Sequence, residues 1–130
     1  MKVILSIKPQ FVEKIFEGTK KFEFRRLLFK NKEVKKILIY ASSPISKVVG
    51  EFDIEEVIHM ELNSLWQETS KQSGITKDYF FDYFKGKENG YAIKIKRFKM
   101  YKEHLAIEET FGVKAPQSFA YVKEKELQFV

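Results

Sequence analysis

The chain has 130 residues, 44% of them hydrophobic and 32% charged. These are the proportions of one ordinary globular domain, long enough for a core that buries about two-thirds of its unfolded surface. There is no cysteine, which excludes disulfides, thiol chemistry and thiolate metal centres. The two histidines, His59 and His104, lie far apart without ligand-spaced carboxylates, so no zinc site and no cofactor is expected.

A net charge of +6 and a pI near 9.4 favour an anionic partner, nucleic acid first, although lysine-rich chains are also basic for solubility alone. No stretch approaches the roughly 18 apolar residues of a membrane span. The apolar run in "MKVILSIKPQ" is broken by Lys8 and Pro9 and followed by no cleavage site. A cytoplasmic protein without a membrane partner is expected.

In chain order, "KVILSI" (2–7) reads as a buried strand. Pro9 then opens a helix at its first turn, where a missing N–H is harmless. Phe11, Val12, Ile15 and Phe16 share its apolar face, and Gly18 stops it. Residues 21–26 alternate with period two, Phe22 and Phe24 on one side and Lys21, Glu23 and Arg25 on the other.

After a charged connection at 30–36, "ILIYAS" (37–42) is a second apolar strand and "SSPISK" (42–47) a turn. The segment 47–60 is strand-like, with Gly50 marking a bulge or a close approach. Two helices follow. One carries Leu62, Leu65 and Trp66 and ends at Gly74; the other is capped by Thr76, carries Tyr79, Phe80, Tyr83 and Phe84, and is closed by Gly86. The series Tyr79, Phe80, Phe81, Tyr83 and Phe84 is either a base-stacking platform or, as such a stripe more often is, core, as is Trp66; Phe81 falls off the stripe and is the better candidate for an exposed contact.

Residues 90–101 alternate again as a strand. The lysines of "KIKRFK" within it either track a phosphate backbone or guard a solvated strand edge. "APQSFAYV" (115–122) is a turn followed by a short helix or strand that periodicity does not settle. The order β-α-β-β-β-α-α-β argues for one α+β domain, 1–130, around a mixed or barrel-like sheet.

The stretch "GTKKFEFRR" (18–26) places a single acid among bases on a strand. Arg25 offers a planar fork for phosphate, carboxylate or a base edge, and Lys20 a point charge. Glu23 accepts from amino groups and holds the cations in place; the structural alternative is a solvated face with a weak ion pair. Further candidates sit at element ends. Lys8 precedes a helix start, where N–H groups favour anions. Ser42 and Ser43 are hydroxyls before Pro44, and Gln117 and Ser118 can read a base edge. Turn and capping chemistry are the structural alternatives.

The spacing G-x-K-x-x-x-x-R, seen as Gly18, Lys20 and Arg25, resembles the signature of ASCH domains in the PUA-like superfamily. The block "SIKPQFVEKIFEGTKKFEFRR" resembles one branch of it, and the likeness continues at "IYASSP" (39–44), "VVGEF" (48–52) and "APQSF" (115–119). It therefore covers most of the chain. The resemblance implies a small PUA-like β-barrel with flanking helices and a basic cleft lined by Lys20 and Arg25. It also implies that the four blocks meet in space, and a partner that is RNA or a modified nucleotide.

The branch is regulator-like and sometimes joined to a DNA-binding helical module. A chain of 130 residues leaves no room for one, so a stand-alone binder is expected. Other members are amidohydrolases acting on an acylated cytidine, or ribonucleases. In the amidohydrolase pattern the motif lysine is nucleophile or base, assisted by a threonine two residues before the motif arginine. That position is Glu23 here. A carboxylate beside Lys20 stabilises its charged form and suppresses its nucleophilicity. A Glu–Lys pair runs acid–base chemistry only where burial shifts both groups. If the protein is an enzyme, Lys20 and Glu23 are the catalytic candidates.

Overall fold

The β-branched and aliphatic runs at 2–7 and 37–41 form the two strands at the centre of the molecule. The computed structural model describes residues 1–122; residues 123–130, which the single-domain expectation included, lie outside that description. β1 (Lys2–Ile7) and β3 (Lys36–Ala41) pair in parallel, Val3 opposite Ile37 and Ile7 opposite Ala41. They are apolar at nearly every position because side chains cover both their faces.

The other strands add antiparallel. β6 (Phe119–Val122) lies on β1, β4 (Lys47–Glu61) on β3, β5 (Asn89–Leu105) on β4, and β2 (Phe22–Arg25) on β5. The result is a six-stranded mixed sheet in the order β2-β5-β4-β3-β1-β6. This is the expected α+β fold with flanking helices, but strand pairing does not close it into a barrel. β2 and β6 are four-residue edges, and polar side chains rather than a ladder occupy the space beside them, as described below.

α1 (Pro9–Glu17) starts at its proline and ends on Gly18, whose φ of 84° is left-handed. It lays Val12 and Ile15 into a core with Val3, Leu5, Ile7, Ile37, Ile39 and Ile93. On the other face, α4 (Ile107–Phe111) packs Ile107 and Phe111 against Ile4, Leu38, Tyr40 and Val122. Neither α4 nor β6 has a clear period of its own, because five and four residues are too few to show one.

The β4–β5 arm carries α2 (Leu62–Thr69), a short 3₁₀ turn (Ser70–Gln72) and α3 (Lys77–Tyr83) between its strands. Glu61 caps α2 by accepting from the N–H groups of Asn63 and Ser64, and Thr76 caps α3 by accepting from Tyr79 N–H at 3.1 Å. A third core follows. Phe80 and Phe84 meet Phe22, Phe24, Leu62 and Leu65, with the Phe24 and Phe80 ring centroids 5.3 Å apart at near-right angles. The phenylalanines of the α3 stripe are core, as the spacing predicts, while Tyr79 and Tyr83 are half-buried. Phe81 is a correction: it is half-buried against this cluster, its ring edge-to-face with Phe80.

The lysines at 94–99 stand on a strand paired to β2 only over Tyr91–Lys94. Beyond Ile95, whose N–H reaches Lys21 O, no ladder covers the outer side of β5 among the described residues. Lys96 and Lys99 are exposed there, and Lys94 pairs with Glu55 at 3.1 Å. Among the described residues no helix is long and apolar enough to cross a membrane.

Gly50 is both bulge and close approach. The β3–β4 register shifts beside it, Ile39 facing Gly50 and Tyr40 facing Val48. A Cβ on Gly50 would stand 2.5 Å from the Lys99 carbonyl oxygen and 2.6 Å from the Phe16 ring. The carbonyl belongs to the ladder and cannot swing aside. Gly50→Ala is therefore expected to destabilise the fold by about 1–3 kcal/mol, read as a lower midpoint in urea denaturation. An unchanged midpoint would show that the β4–β5 contact yields.

Candidate functional site

Between the free edge of β2 and the ends of β1 and β6 lies a cavity of about 630 Å³, a volume suited to a small ligand. The start of α1 and one side of α3 complete its walls. Its floor is the motif stretch.

After Gly18 the chain turns back. Thr19 and Lys20 give their N–H groups to Lys14 O, and Lys21 gives its own to Gln72 O. This turn drives the Lys20 side chain inward, to 2% exposure. Its Nζ donates to Ser73 O at 2.7 Å and lies 5.2 Å and 5.0 Å from the ring centroids of Phe11 and Phe24, a cation held between aromatic faces. Gly74 makes room for the stem: a Cβ there would come within 2.7 Å of Lys20 Cβ.

Burial dominates the proton affinity of Lys20 and pulls its pKa from 10.5 down to about 8. The Glu23 carboxylate pulls the other way, and Lys14 adds to the lowering. Glu23 favours the charged form of Lys20, as its position predicts, but burial outweighs it. Desolvation is the larger effect, and Glu23 directs its ion pair elsewhere.

That partner is Arg25. One terminal nitrogen of Arg25 donates to Glu23 Oε2 at 3.2 Å and to Ser6 O at 3.2 Å. The other donates to Ser118 O at 3.2 Å and to Ser118 Oγ at 2.7 Å. The guanidinium thus spans from edge strand β2 to β1 and to the residue preceding β6. Both polar residues of β2 are buried, Glu23 to 6% and Arg25 to 8% exposure. Glu23 Oε1 has no hydrogen bond among the described residues.

The opposite wall is aromatic. Tyr79 OH accepts from Lys8 Nζ at 3.2 Å, and its ring meets Phe11 edge-on. Tyr83 OH donates to Phe24 O at 3.2 Å; burial raises its pKa, opposed by the nearby Arg25 charge. Arg26 donates to the carbonyl oxygens of Tyr83 and Lys85 at 2.9 Å and 2.8 Å, fixing the end of α3 over the cavity.

Of the residues singled out from sequence, Lys8, Lys20, Glu23, Arg25, Ser42, Gln117 and Ser118 all line this one cavity. Lys8 and Gln117 are exposed at the rim, while Ser42 is half-buried in the wall and donates its N–H to Ile7 O. Ser43 does not join them; it is exposed on the turn outside. Sequence reasoning missed Phe11 and Arg26, and favoured core over a stacking role for the series that holds Tyr79 and Tyr83. The hydroxyls of Tyr79 and Tyr83, one helical turn apart within a phenylalanine stripe, were the available signal. Among the described residues no cluster of three or more His, Asp or Glu could hold a metal ion.

This open mixed sheet with its flanking helices is the ASCH fold of the PUA-like superfamily. The crystal structure of ASCH from Zymomonas mobilis matches with a TM-score of 0.86 at 25% identity, covering 96% of this chain and 90% of that one. Within that class, the chain matches the family described as "Domain of unknown function (DUF365)" over residues 1–122 and belongs to it.

An ASCH domain-containing ribonuclease of Zymomonas mobilis is 26% identical over 129 residues, 96% of this chain and 86% of that protein. A Ureaplasma parvum protein named large ribosomal subunit protein uL22 is 31% identical over 121 residues, 93% of this chain. The chain spans 39% of the length of that relative.

The depressed Lys20 pKa carries a sign. Between about 8 and 10.5 the unfolded chain binds more protons at Lys20 than the folded one does. Stability therefore rises with pH across that window, and the penalty is complete below it. Its size is on the order of 3 kcal/mol. Urea midpoints at about pH 7 and about pH 10 should show this rise, and Lys20→Met should remove that share of it. An identical pH dependence in both proteins would mean that Lys20 is not held in its depressed state.

Proposed function

We propose that the cavity holds one nucleotide of an RNA and that the protein is a regulator-like RNA or modified-nucleotide binder. The observation that carries this reading is the buried Lys20–Glu23–Arg25 set on an aromatic bed. Arg25 is spent on the walls. It holds Glu23 with one carboxylate oxygen engaged and Oε1 left to accept from an exocyclic amino group. Lys20 donates one N–H to Ser73 O and keeps others for a carbonyl or ring nitrogen.

Phe11 and Tyr79 supply faces and edges for a base. At the rim, Lys8, Arg26 and Lys87 give the cleft its basic character and meet the phosphates. The Zymomonas mobilis relative is named a ribonuclease, which favours RNA over other anions. RNA binding in a chain without cysteine suits the cytoplasm.

A second reading is a hydrolase, favoured by one observation. An amine with a pKa of about 8 is partly unprotonated near neutrality and serves as a general base or nucleophile. On this reading Lys20 acts on the RNA backbone as in a ribonuclease, or on an acyl group carried by cytidine. Burial supplies the activation that the missing threonine does not.

Titrations with nucleoside monophosphates test the first reading. CMP and AMP, which carry amino groups, are expected to bind more tightly than UMP. Glu23→Gln should erase about 1–3 kcal/mol of that preference, and Lys20→Met should weaken all three. Equal binding of CMP, AMP and UMP to the unaltered protein would sink the assignment of Glu23.

The hydrolase reading predicts cleavage of RNA, or deacylation of an acylated cytidine, at a rate that climbs with pH and levels off above about 8. Lys20→Ala should abolish it. Turnover that survives Lys20→Ala would end that reading.

A further inference from the structure

The sheet face that carries Glu23 and Arg25 continues past the cavity. Arg25 stands opposite Tyr91 in the β2–β5 ladder, and Tyr91 stands opposite His59 in the β5–β4 ladder. Residues directly opposed in an antiparallel pair project to the same side. Arg25, Tyr91 and His59 therefore form one row across three strands, each step about 4.8 Å.

The rings of Tyr91 and His59 lie face to face, centroids 4.0 Å apart and planes within 8°. Every other aromatic pair among the described residues is tilted or edge-to-face. Edge and offset geometries are the ones ring quadrupoles prefer within a core. The pair is set on the surface, as are the tilted Phe16–Phe98 and edge-on Phe119–Tyr121 pairs: His59 is exposed, Tyr91 half-buried, and Val57, two residues along β4 on the same side, is 39% exposed. The polar atoms of the two rings have no hydrogen-bond partner among the described residues.

We propose that this row is a second base site. A nucleotide further along the strand from the one in the cavity stacks on the open face of His59, extending the Tyr91–His59 pair, so that the ligand is a short single-stranded RNA segment rather than a free nucleotide. The inference rests on the nucleotide reading of the cavity. Continuity with the cavity carries it, because Arg25 forms both the cavity wall and the first member of the row. A stacked platform accepts any base, so this site contributes affinity while the cavity discriminates.

The test is calorimetric titration of CMP, AMP and the hexamers of cytidylate and adenylate into wild type, His59→Ala and His59→Phe. We expect His59→Ala to weaken the hexamers by about fivefold to a hundredfold, the share of one stacked base, with CMP and AMP unchanged. His59→Phe, which keeps a flat ring, should retain hexamer affinity. The comparison between variants removes the advantage a hexamer has from offering several registers.

Unchanged hexamer affinity in His59→Ala overturns the second site while leaving the cavity reading intact. So does an equal loss for hexamers and monophosphates, or a His59→Phe variant no better than His59→Ala. Failure of the wild type to bind monophosphates and hexamers alike overturns the cavity reading and this one together.

Discussion

One guanidinium holds together two edges of the sheet that no backbone hydrogen bond joins directly among the described residues. Arg25 reaches from β2 to Ser6 on β1 and to Ser118 ahead of β6, bridging strands at opposite ends of the sheet order. A ladder would have closed the same gap with main-chain bonds and left no space. A long planar side chain closes it at a distance and leaves a cavity beneath. A second tie of the same kind acts further along, where Tyr121 OH accepts from the N–H groups of Lys30 and Asn31 at 3.0 Å and 3.1 Å. The site exists because closure is done by side chains.

The same arrangement explains why charged groups sit inside. Glu23 neutralises Arg25 and is buried with it; an isolated buried charge of either sign would be far more costly. Lys20 has no ion pair of its own among the described residues. Its compensation is a carbonyl and two rings, which is not enough to hold its pKa at 10.5. A lysine kept in that state weakens the fold at neutral pH, and it matches an amine reserved for chemistry or recognition better than a structural one. The burial that lowers the proton affinity of this residue is therefore also a cost to the fold.

Much of the fold was legible because local rules agree with it. Pro9 and Gly18 bracket α1, Thr76 caps α3, and the apolar runs of β1 and β3 announce strands covered on both sides. What stayed hidden is either too short or too distant. Ile107–Phe111 shows little more than a single helical turn, and Phe119–Val122 becomes a strand only because β1 lies beside it.

The polar alternation of β2 reads locally as a wet face. It is dry because the opposing groups on Ser6, Ser73 and Ser118 arrive from far along the chain. That Lys20 and Arg25 lie together was legible from the motif, but not their different surroundings, in which Arg25 ties three strands' ends and Lys20 has no ion pair among the described residues. Tyr79 and Tyr83 were absorbed into a core stripe whose phenylalanines do belong to the core.

Gly74 shows how far such a motif extends beyond its own letters. The stem of Lys20 lies where any larger residue at 74 would place its first carbon. The two positions therefore amount to a single choice, written once after the first helix and again after the second. A lysine grafted into another sheet with the same spacing to its glycine and arginine would keep the signature but lack the trench in which it lies.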